Sequence, residues 1–122
     1  MESEIRRYES LGDIAEHIES EGGILTLAMW QVRDAYGAAR LGVNVRASIS
    51  DALTNLGLDH YPRRDLPDSQ GSYVRLVKRG SAVGKLIRAA REVDPESDQM
   101  LRDAAAGESQ ALLRRVRELI CD

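Results

Sequence analysis

The feature that most constrains the fold is a stripe of apolar residues within residues 45–56. The stripe recurs at positions i, i+4, i+7, i+8 and i+11, and it consists of Val45, Ile49, Ala52, Leu53 and Leu56. This spacing is typical of one buried face of an α-helix. Asn44 precedes the stripe as the predicted cap, and Gly57 follows it as a left-handed stop. The sequence therefore predicts a helix over 45–56 that buries one face.

Two helices and a short strand are predicted before this stripe. The first helix covers 11–21 and stops at two glycines; its apolar side consists of Leu11, Ile14, Ala15 and Ile18. Residues 24–26 favour a short strand, and Thr26 is the predicted cap of a second helix over 27–37. The apolar face of the second helix consists of Ala28, Met29, Val32, Ala35 and Tyr36, and its opposite side of Leu27, Trp30 and Asp34.

The second half of the chain predicts two strands and then helices. Strands are expected over 58–62 and 73–79, joined by an aperiodic loop with two prolines nearby. In the second strand Val74 and Leu76 are expected to face inward; the other face would consist of Tyr73, Arg75, Val77 and Arg79.

Three helices are expected after this hairpin. Ser81 is the predicted cap of a helix over 82–92, whose inward side would consist of Val83, Leu86, Ile87 and Ala90. Asp94-Pro95 starts a further helix that is expected to end near Gly107, and a last helix is expected over 108–121.

Composition places the chain among globular proteins with an aliphatic core. The 122 residues fit one domain of common size, and the chain contains no Phe and 43% apolar residues. Its single cysteine, Cys121, excludes an internal disulfide. The sequence has no apolar run long enough to span a bilayer, and its first ten residues lack the apolar core of a signal peptide. A cytoplasmic protein is the resulting expectation.

Charge is distributed unevenly along the chain, although the total is only −3. Residues 1–62 carry five Lys/Arg against ten Asp/Glu, residues 63–91 carry eight against two, and residues 92–122 carry four against eight. A basic segment between two acidic ones is a charge asymmetry of the kind that marks a contact surface. The alternative is that the basic segment pairs with the acidic segments on the surface of one fold.

The order helix, short strand, helix, turn, helix, strand, loop, strand resembles a winged helix-turn-helix domain. The resemblance covers about residues 8–80 and lies in "LTLAMWQVRDAYGAARLGVNVRASISDALTNLGL" followed by the hairpin "LDHYP…YVRLVKR". It implies a fold that is mostly α with a small β-hairpin. Residues 1–92 would form the winged-helix-like domain and residues 93–122 a C-terminal helical extension.

The resemblance also implies a DNA-binding module, such as a small transcriptional regulator or a phage-type repressor. Helix 45–56 would be the recognition helix in the major groove, and the basic wing would span 62–79. Arg46 is the strongest candidate for reading bases, because a guanidinium can bind guanine O6 and N7. The full set of implied DNA-binding residues is Arg40, Arg46, Ser50, Thr54, Arg63, Arg64, Arg75, Lys78 and Arg79.

Two features of the sequence support other interpretations. Asp51 lies on the outer side of helix 45–56, where it would meet phosphate repulsion, and the turn before this helix is longer than in a compact helix-turn-helix. Helix 45–56 would then be a core helix with a solvated outer face, and the basic residues would pair with Glu and Asp from residues 1–21. The alternative function is a protein–protein interaction (adaptor) domain on the same scaffold, without DNA binding.

The last predicted helix carries an aliphatic stripe that needs a partner. The stripe consists of Leu112, Leu113, Val116, Leu119 and Ile120. A homodimer would bury it and would present two recognition helices to a palindromic site. Alternatively, the stripe packs within its own chain, on helix one or over Leu27 and Trp30. Trp30 in turn either packs on a C-terminal helix or anchors a partner.

No motif in the sequence indicates catalysis, a cofactor or a metal. The stretch 80–86 has three residues between its glycines and Leu after the lysine, so it fails the phosphate-loop pattern. The two histidines, His17 and His60, lie far apart and far from Cys121, which does not indicate a zinc site. We therefore expect neither an enzyme nor a cofactor-binding protein.

Overall fold

Helices and a small antiparallel sheet make up the described part of the chain. A computed structural model describes residues 6–120, apart from the side chains of 108–113, 115–117, 119 and 120. Over the described residues, the elements are α1 (Leu11–Ser20), β1 (Ile24–Ala28), α2 (Met29–Tyr36), α3 (Val43–Asn55), β2 (Leu58–Tyr61), β3 (Tyr73–Lys78), α4 (Ala82–Arg91) and α5 (Pro95–Ile120). The prediction of a mostly helical chain with a β-hairpin is confirmed at this level. The chain divides into two compact units, Met1–Gly84 and Lys85–Asp122.

The sheet has the strand order β1-β3-β2, with both pairs antiparallel. Leu76 on the central strand lies opposite Leu25 of β1 and His60 of β2. The predicted inward positions Val74 and Leu76 are confirmed, since each is at most 1% exposed. Val77 was predicted on the outer face with Arg75, but it is also buried. The alternation of side chains along the strand assigned Val77 to the correct face of the sheet. It does not show whether other residues bury that face.

The core of the first unit is a single cluster of buried apolar residues. Its members come from all three strands, from α1, α2 and α3, from the segment before α1 and from the loop between β2 and β3. They are Tyr8, Leu11, Ile14, Ile18, Leu27, Met29, Val32, Ala35, Ile49, Leu53, Leu58, Leu66, Val74 and Leu76. Val45 and Ala52 of the predicted stripe pack against it as partly buried residues. Leu56 is 43% exposed, so the stripe ends one turn earlier than expected.

The start of α2 differs from the prediction. Strand β1 continues to Ala28, because Leu27 and Ala28 pair with Val74 and Tyr73 of β3. Thr26 is therefore an exposed strand residue and not a cap, and Leu27 is a buried strand residue instead of a helical one. In place of a cap hydroxyl, Gln31 Oε1 accepts from the backbone N–H of Ala28 at 2.9 Å.

The other helix ends follow local signals more closely, with two exceptions. Ser81 Oγ accepts from Gly84 N at 3.0 Å and Asp94 Oδ1 from Ser97 N at 2.7 Å, so both predicted caps are confirmed. Helix α3 begins at Val43 with Gly42 at its N-cap, so Asn44 lies inside the helix. Helix α5 continues through Gly107, where the sequence predicted an end. An interior glycine weakens a helix by about 1 kcal/mol but does not stop it.

Helix α4 buries a different alanine from the one predicted. Ala89 is 5% exposed, whereas Ala90 is exposed. Val83, Leu86 and Ile87 are half-buried. The apolar side is therefore rotated slightly from the expected one.

Tyr8 belongs to the core cluster, and the pKa of its hydroxyl is shifted. Its hydroxyl lies 2.7 Å from His17 Nδ1, and His17 Nε2 lies 3.3 Å from Glu21 Oε1. Burial raises the pKa of Tyr8 above its ordinary value of 10.0, and the Coulombic effect of Arg6 opposes this by a smaller amount. The folded protein therefore ionises Tyr8 less readily than the unfolded chain.

This shift predicts a loss of stability in alkali. Because the pKa of Tyr8 is higher in the folded protein, its contribution to the free energy of unfolding is fully present below about pH 10 and is lost as the pH rises further. We expect Tyr8→Phe to show a shallower alkaline decline in the free energy of unfolding, measured by urea titration from pH 8 to 11. Tyr36→Phe, at a residue 40% exposed, is the control and should keep the wild-type decline. Identical alkaline profiles for both variants would contradict the role of Tyr8.

Candidate nucleic-acid interface

The loop that joins β2 to β3 is anchored against the core. Leu66, in the middle of this aperiodic loop, is 2% exposed and belongs to the core cluster. At the far end of the loop, Met29 N donates to Ser72 O at 2.8 Å and Trp30 N donates to Gln70 O at 3.0 Å. These two carbonyls satisfy N–H groups at the start of α2 that have no partner within the helix. The predicted wing is therefore folded back against α2.

Arg46, the predicted base reader, is engaged inside the protein. Its Nε donates to Leu41 O at 3.0 Å and its Nη1 donates to Leu66 O at 3.2 Å. The side chain thereby joins the turn before α3, the helix itself and the loop after β2. Hydrogen bonds from a charged donor stabilise more than neutral ones do. This geometry gives Arg46 a structural role at the base of the predicted interface.

Ser50 and Thr54, the other two predicted base contacts on α3, also have internal partners. Ser50 Oγ lies 2.7 Å from Nε2 of His60, which is 3% exposed, and His60 Nδ1 lies 2.6 Å from Pro62 O. Because a carbonyl can only accept, Nδ1 carries the proton, and in the neutral ring Nε2 accepts from the Ser50 hydroxyl. Thr54 Oγ1 donates to Ser50 O at 2.9 Å. The hydroxyl protons of both residues are thus already committed.

The exposed face of α3 includes four residues besides the predicted contact Thr54. Asn44, Ala47, Ser48 and Asp51 are exposed, on the side of the helix opposite the buried Ile49 and Leu53. They recur at i, i+3, i+4 and i+7, so they share one face. Their side chains are short, so the backbone of α3 could approach the floor of a DNA groove closely. The sequence signal for these four residues is their position opposite the apolar stripe at helical spacing.

A shallow groove of about 220 Å³ runs between α3 and the loop after β2. Its α3 wall includes Val43, Ala47 and Asp51, and its loop wall includes Arg64 and Asp65. The groove therefore brings one of the predicted basic residues beside the exposed face of α3.

Three of the predicted basic residues form ion pairs. Arg63 and Arg79 both lie near Asp59 Oδ1, at 3.4 Å and 3.2 Å. Lys78 Nζ lies 3.0 Å from Glu19 Oε1 of α1. Pairing with residues 1–21, the alternative considered from the sequence, thus holds for Lys78 and not for the two arginines. Exposed pairs of this kind contribute only about 0–1 kcal/mol and rearrange readily.

The remaining three basic residues, Arg40, Arg64 and Arg75, are exposed. Within the part of the chain that the structure describes, none of them has an acidic group within ion-pair distance. Arg40 lines a depression beside the loop residues Asp68 and Gln70. Arg75 lies on the outer face of the sheet, opposite Thr26 and Tyr61. These guanidinium groups are available to an external anion.

The residues predicted for a partner interface fall into two groups. Leu27 is 2% exposed in the core, and Trp30 is half-buried with the Arg7 guanidinium 5.3 Å from its ring centre. Arg7 is held there by an ion pair to Asp34 at 2.8 Å. The second group is the predicted dimer stripe, Leu112, Leu113, Val116, Leu119 and Ile120; its side chains lie outside the described residues, as does Cys121.

Metal and membrane features were also considered over the described residues. Residues 6–120, as far as their side chains are described, contain no group of three His, Cys, Asp or Glu that could hold a metal ion. No helix in this part of the chain is both long and apolar enough to cross a membrane.

Comparison of the chain with protein-family models, with curated proteins and with solved structures gave no match. A functional proposal for this chain therefore depends on the geometry and charge of its own residues.

Proposed function

We propose that the unit Met1–Gly84 is a winged-helix module that binds double-stranded DNA, as a small transcriptional regulator or phage-type repressor does. The order of elements supports this proposal, since α1, β1, α2, α3, β2, a loop and β3 follow one another as in the resemblance seen in the sequence. Helix α3 packs against β2 and exposes its other face. That exposed face is the part of the fold that would enter the major groove.

The observation that carries the proposal is a set of three arginines that have no ion pair among the described residues, two of which lie next to α3. Arg64 borders the groove beside α3, Arg40 lies in the turn that leads into it, and Arg75 lies on the sheet. These three guanidinium groups would neutralise DNA phosphates and release condensed counterions, and this release supplies most of the non-specific affinity for DNA. The small side chains on α3 would allow close approach of the helix to the base edges.

Removing these three cations together should weaken binding to all duplexes about equally. We expect the full chain with Arg40→Ala, Arg64→Ala and Arg75→Ala to lose affinity on preferred and random DNA alike. Its plot of log affinity against log salt should be shallower by about 2–3, as for the loss of three phosphate contacts. Fluorescence anisotropy on labelled duplexes at several salt concentrations measures both quantities.

A matched control changes the net charge by the same amount elsewhere. Arg6, Arg88 and Arg102 are exposed arginines outside the proposed interface, and their triple alanine variant should keep most of the affinity and of the salt slope. Equal losses of DNA affinity in the two variants would mean that net charge alone accounts for the binding. Unchanged affinity in the first variant would contradict the proposed phosphate contacts.

The second candidate is a protein–protein interaction domain on the same scaffold. It is favoured by two exposed apolar side chains, Val43 on α3 at 70% and Tyr73 on β3 at 67%. Exposed aromatic side chains are frequent anchors in protein interfaces. Absence of duplex binding by the wild-type chain at low salt would support this candidate over DNA binding.

The proposed homodimer would place two α3 helices on a palindromic site. It depends on the stripe in the C-terminal part of α5, and the elution volume and light scattering of the full chain would report on it directly.

A further inference from the structure

The exposed face of α3 has an acidic residue at its centre. Ile49 and Leu53 mark the buried side of the helix, and at 100° per residue Asp51 lies nearly opposite them. Asn44 and Ala47 precede it on the same face at i−7 and i−4. Of the described residues, no cation lies within 4.0 Å of its carboxylate. A partner that docks on this face therefore meets a carboxylate that has no ion pair among the described residues.

For a DNA partner, this charge is unfavourable unless it finds a donor. Phosphates and most base edges present acceptors: guanine has O6 and N7, and thymine has O4. An ionised carboxylate can only accept hydrogen bonds. Cytosine is the base whose major-groove edge presents an N4 amino donor with no acceptor on the same base. Adenine has an N6 donor, but its N7 acceptor lies beside that donor.

Three polar side chains of α3 are committed to partners within the fold. Arg46 donates to two backbone carbonyls, and Ser50 and Thr54 use their hydroxyl protons within the fold. The middle of the α3 face therefore offers the Asp51 carboxylate and the Ala47 methyl group, and the polar side chains of Asn44 and Ser48 lie beside them. Because a carboxylate only accepts hydrogen bonds, a direct and favourable contact between Asp51 and DNA requires a donor from the DNA itself.

We infer that Asp51 is a specificity-determining residue that accepts a hydrogen bond from cytosine N4 and repels duplexes that place another base at this position. This inference rests on the proposed DNA-binding function. Arg40, Arg64 and Arg75 would attract any duplex, and Asp51 would oppose close docking unless a cytosine faces it. Discrimination then arises from a repulsive element as well as an attractive one.

The test begins with selection of binding sites from a random duplex pool by the full-length wild-type chain. The selected sites should contain an invariant cytosine, and replacing it with thymine should weaken binding about fivefold or more, as for loss of one base contact. With Asp51→Ala, the preference at that position should disappear while affinity for random DNA rises. With Asp51→Asn, the preference should move towards adenine, because a carboxamide can bind adenine N6 and N7 together.

Glu16→Gln provides the matched control, because it makes the same change of charge at an exposed residue of α1. It should leave the cytosine preference intact and change affinity for random DNA less than Asp51→Asn does. Circular dichroism of each variant verifies that it is folded. The exposed position of Asp51 gives no reason for a loss of structure.

The possible outcomes separate this inference from the proposed function. If the wild-type chain selects no duplex at all, the DNA-binding proposal fails and the inference fails with it. If it selects duplexes, but Asp51→Asn and Asp51→Ala keep the wild-type base preference, only the inference is overturned. The same holds if Glu16→Gln raises affinity for random DNA as much as Asp51→Asn does.

Discussion

Replacing Arg46 with alanine is expected to lower the free energy of unfolding by about 2 kcal/mol. The variant loses two hydrogen bonds from a charged donor, to Leu41 O and Leu66 O. Such bonds contribute about 1.5–3 kcal/mol each when buried, and the half-buried position of Arg46 reduces the total. Urea denaturation followed by circular dichroism measures this loss.

Two variants make the Arg46 result specific. Arg46→Lys should recover only part of the stability, since an ammonium group cannot reproduce the planar fork that joins two carbonyls. Arg64→Ala removes an exposed arginine without an ion pair among the described residues, and it should change stability by less than about 0.5 kcal/mol. An Arg46→Ala protein of wild-type stability that has lost its preference for one DNA site would instead make Arg46 a base-reading residue.

Replacing Leu66 with alanine is expected to have a still larger effect, a loss of about 2–4 kcal/mol in the free energy of unfolding. Leu66 is 2% exposed and packs in the core cluster, although it lies in a loop. Truncating a buried leucine removes apolar contacts and leaves a cavity that neighbouring atoms fill only partly. The loop can relax, which places the expected value below the upper limit for such truncations.

The consequence for the loop can be measured separately. Met29 N and Trp30 N donate to carbonyls in the same loop, so their amide hydrogens should exchange faster in Leu66→Ala. Leu56→Ala, at a residue 43% exposed, is the control and should cost less than about 1 kcal/mol without changing those two amides. A loss below about 0.5 kcal/mol for Leu66→Ala would mean that the loop is not part of the folded core.

Both predictions concern the same physical point, which is how the loop after β2 is held beside α3. Leu66 packs the middle of the loop into the core, and Arg46 donates a hydrogen bond to the carbonyl of Leu66. Backbone N–H groups at the start of α2 donate to carbonyls at the end of the loop. A loop fixed in this way holds Arg64 at the border of the groove next to the exposed face of α3. The position of Arg64 next to the exposed face of α3 therefore depends on how the loop packs into the core.

The amino-acid sequence by itself determined the order of the elements as far as α4 and most of their bounds. The exceptions are the boundary between β1 and α2, the start of α3, and the helix end predicted near Gly107, which lies inside α5. The correctly predicted features follow from local causes: the period of the apolar residues, cap side chains such as Ser81 and Asp94, and stop signals such as the glycines after α1. The hairpin between β2 and β3 was also predicted, because two runs of β-forming residues flank a turn-rich segment.

Only the tertiary structure decided where strand β1 ends and which predicted contacts remain free. Leu27 and Ala28 join the sheet because the ladder with β3 outweighs their helical tendency, and no local pattern reports a partner about fifty residues away. Likewise, composition cannot show that Arg46 is bound to two carbonyls or that Ser50 is bound to His60. Side-chain identity determines what a residue is able to bind, whereas the packing of distant segments determines which of its hydrogen bonds are already made.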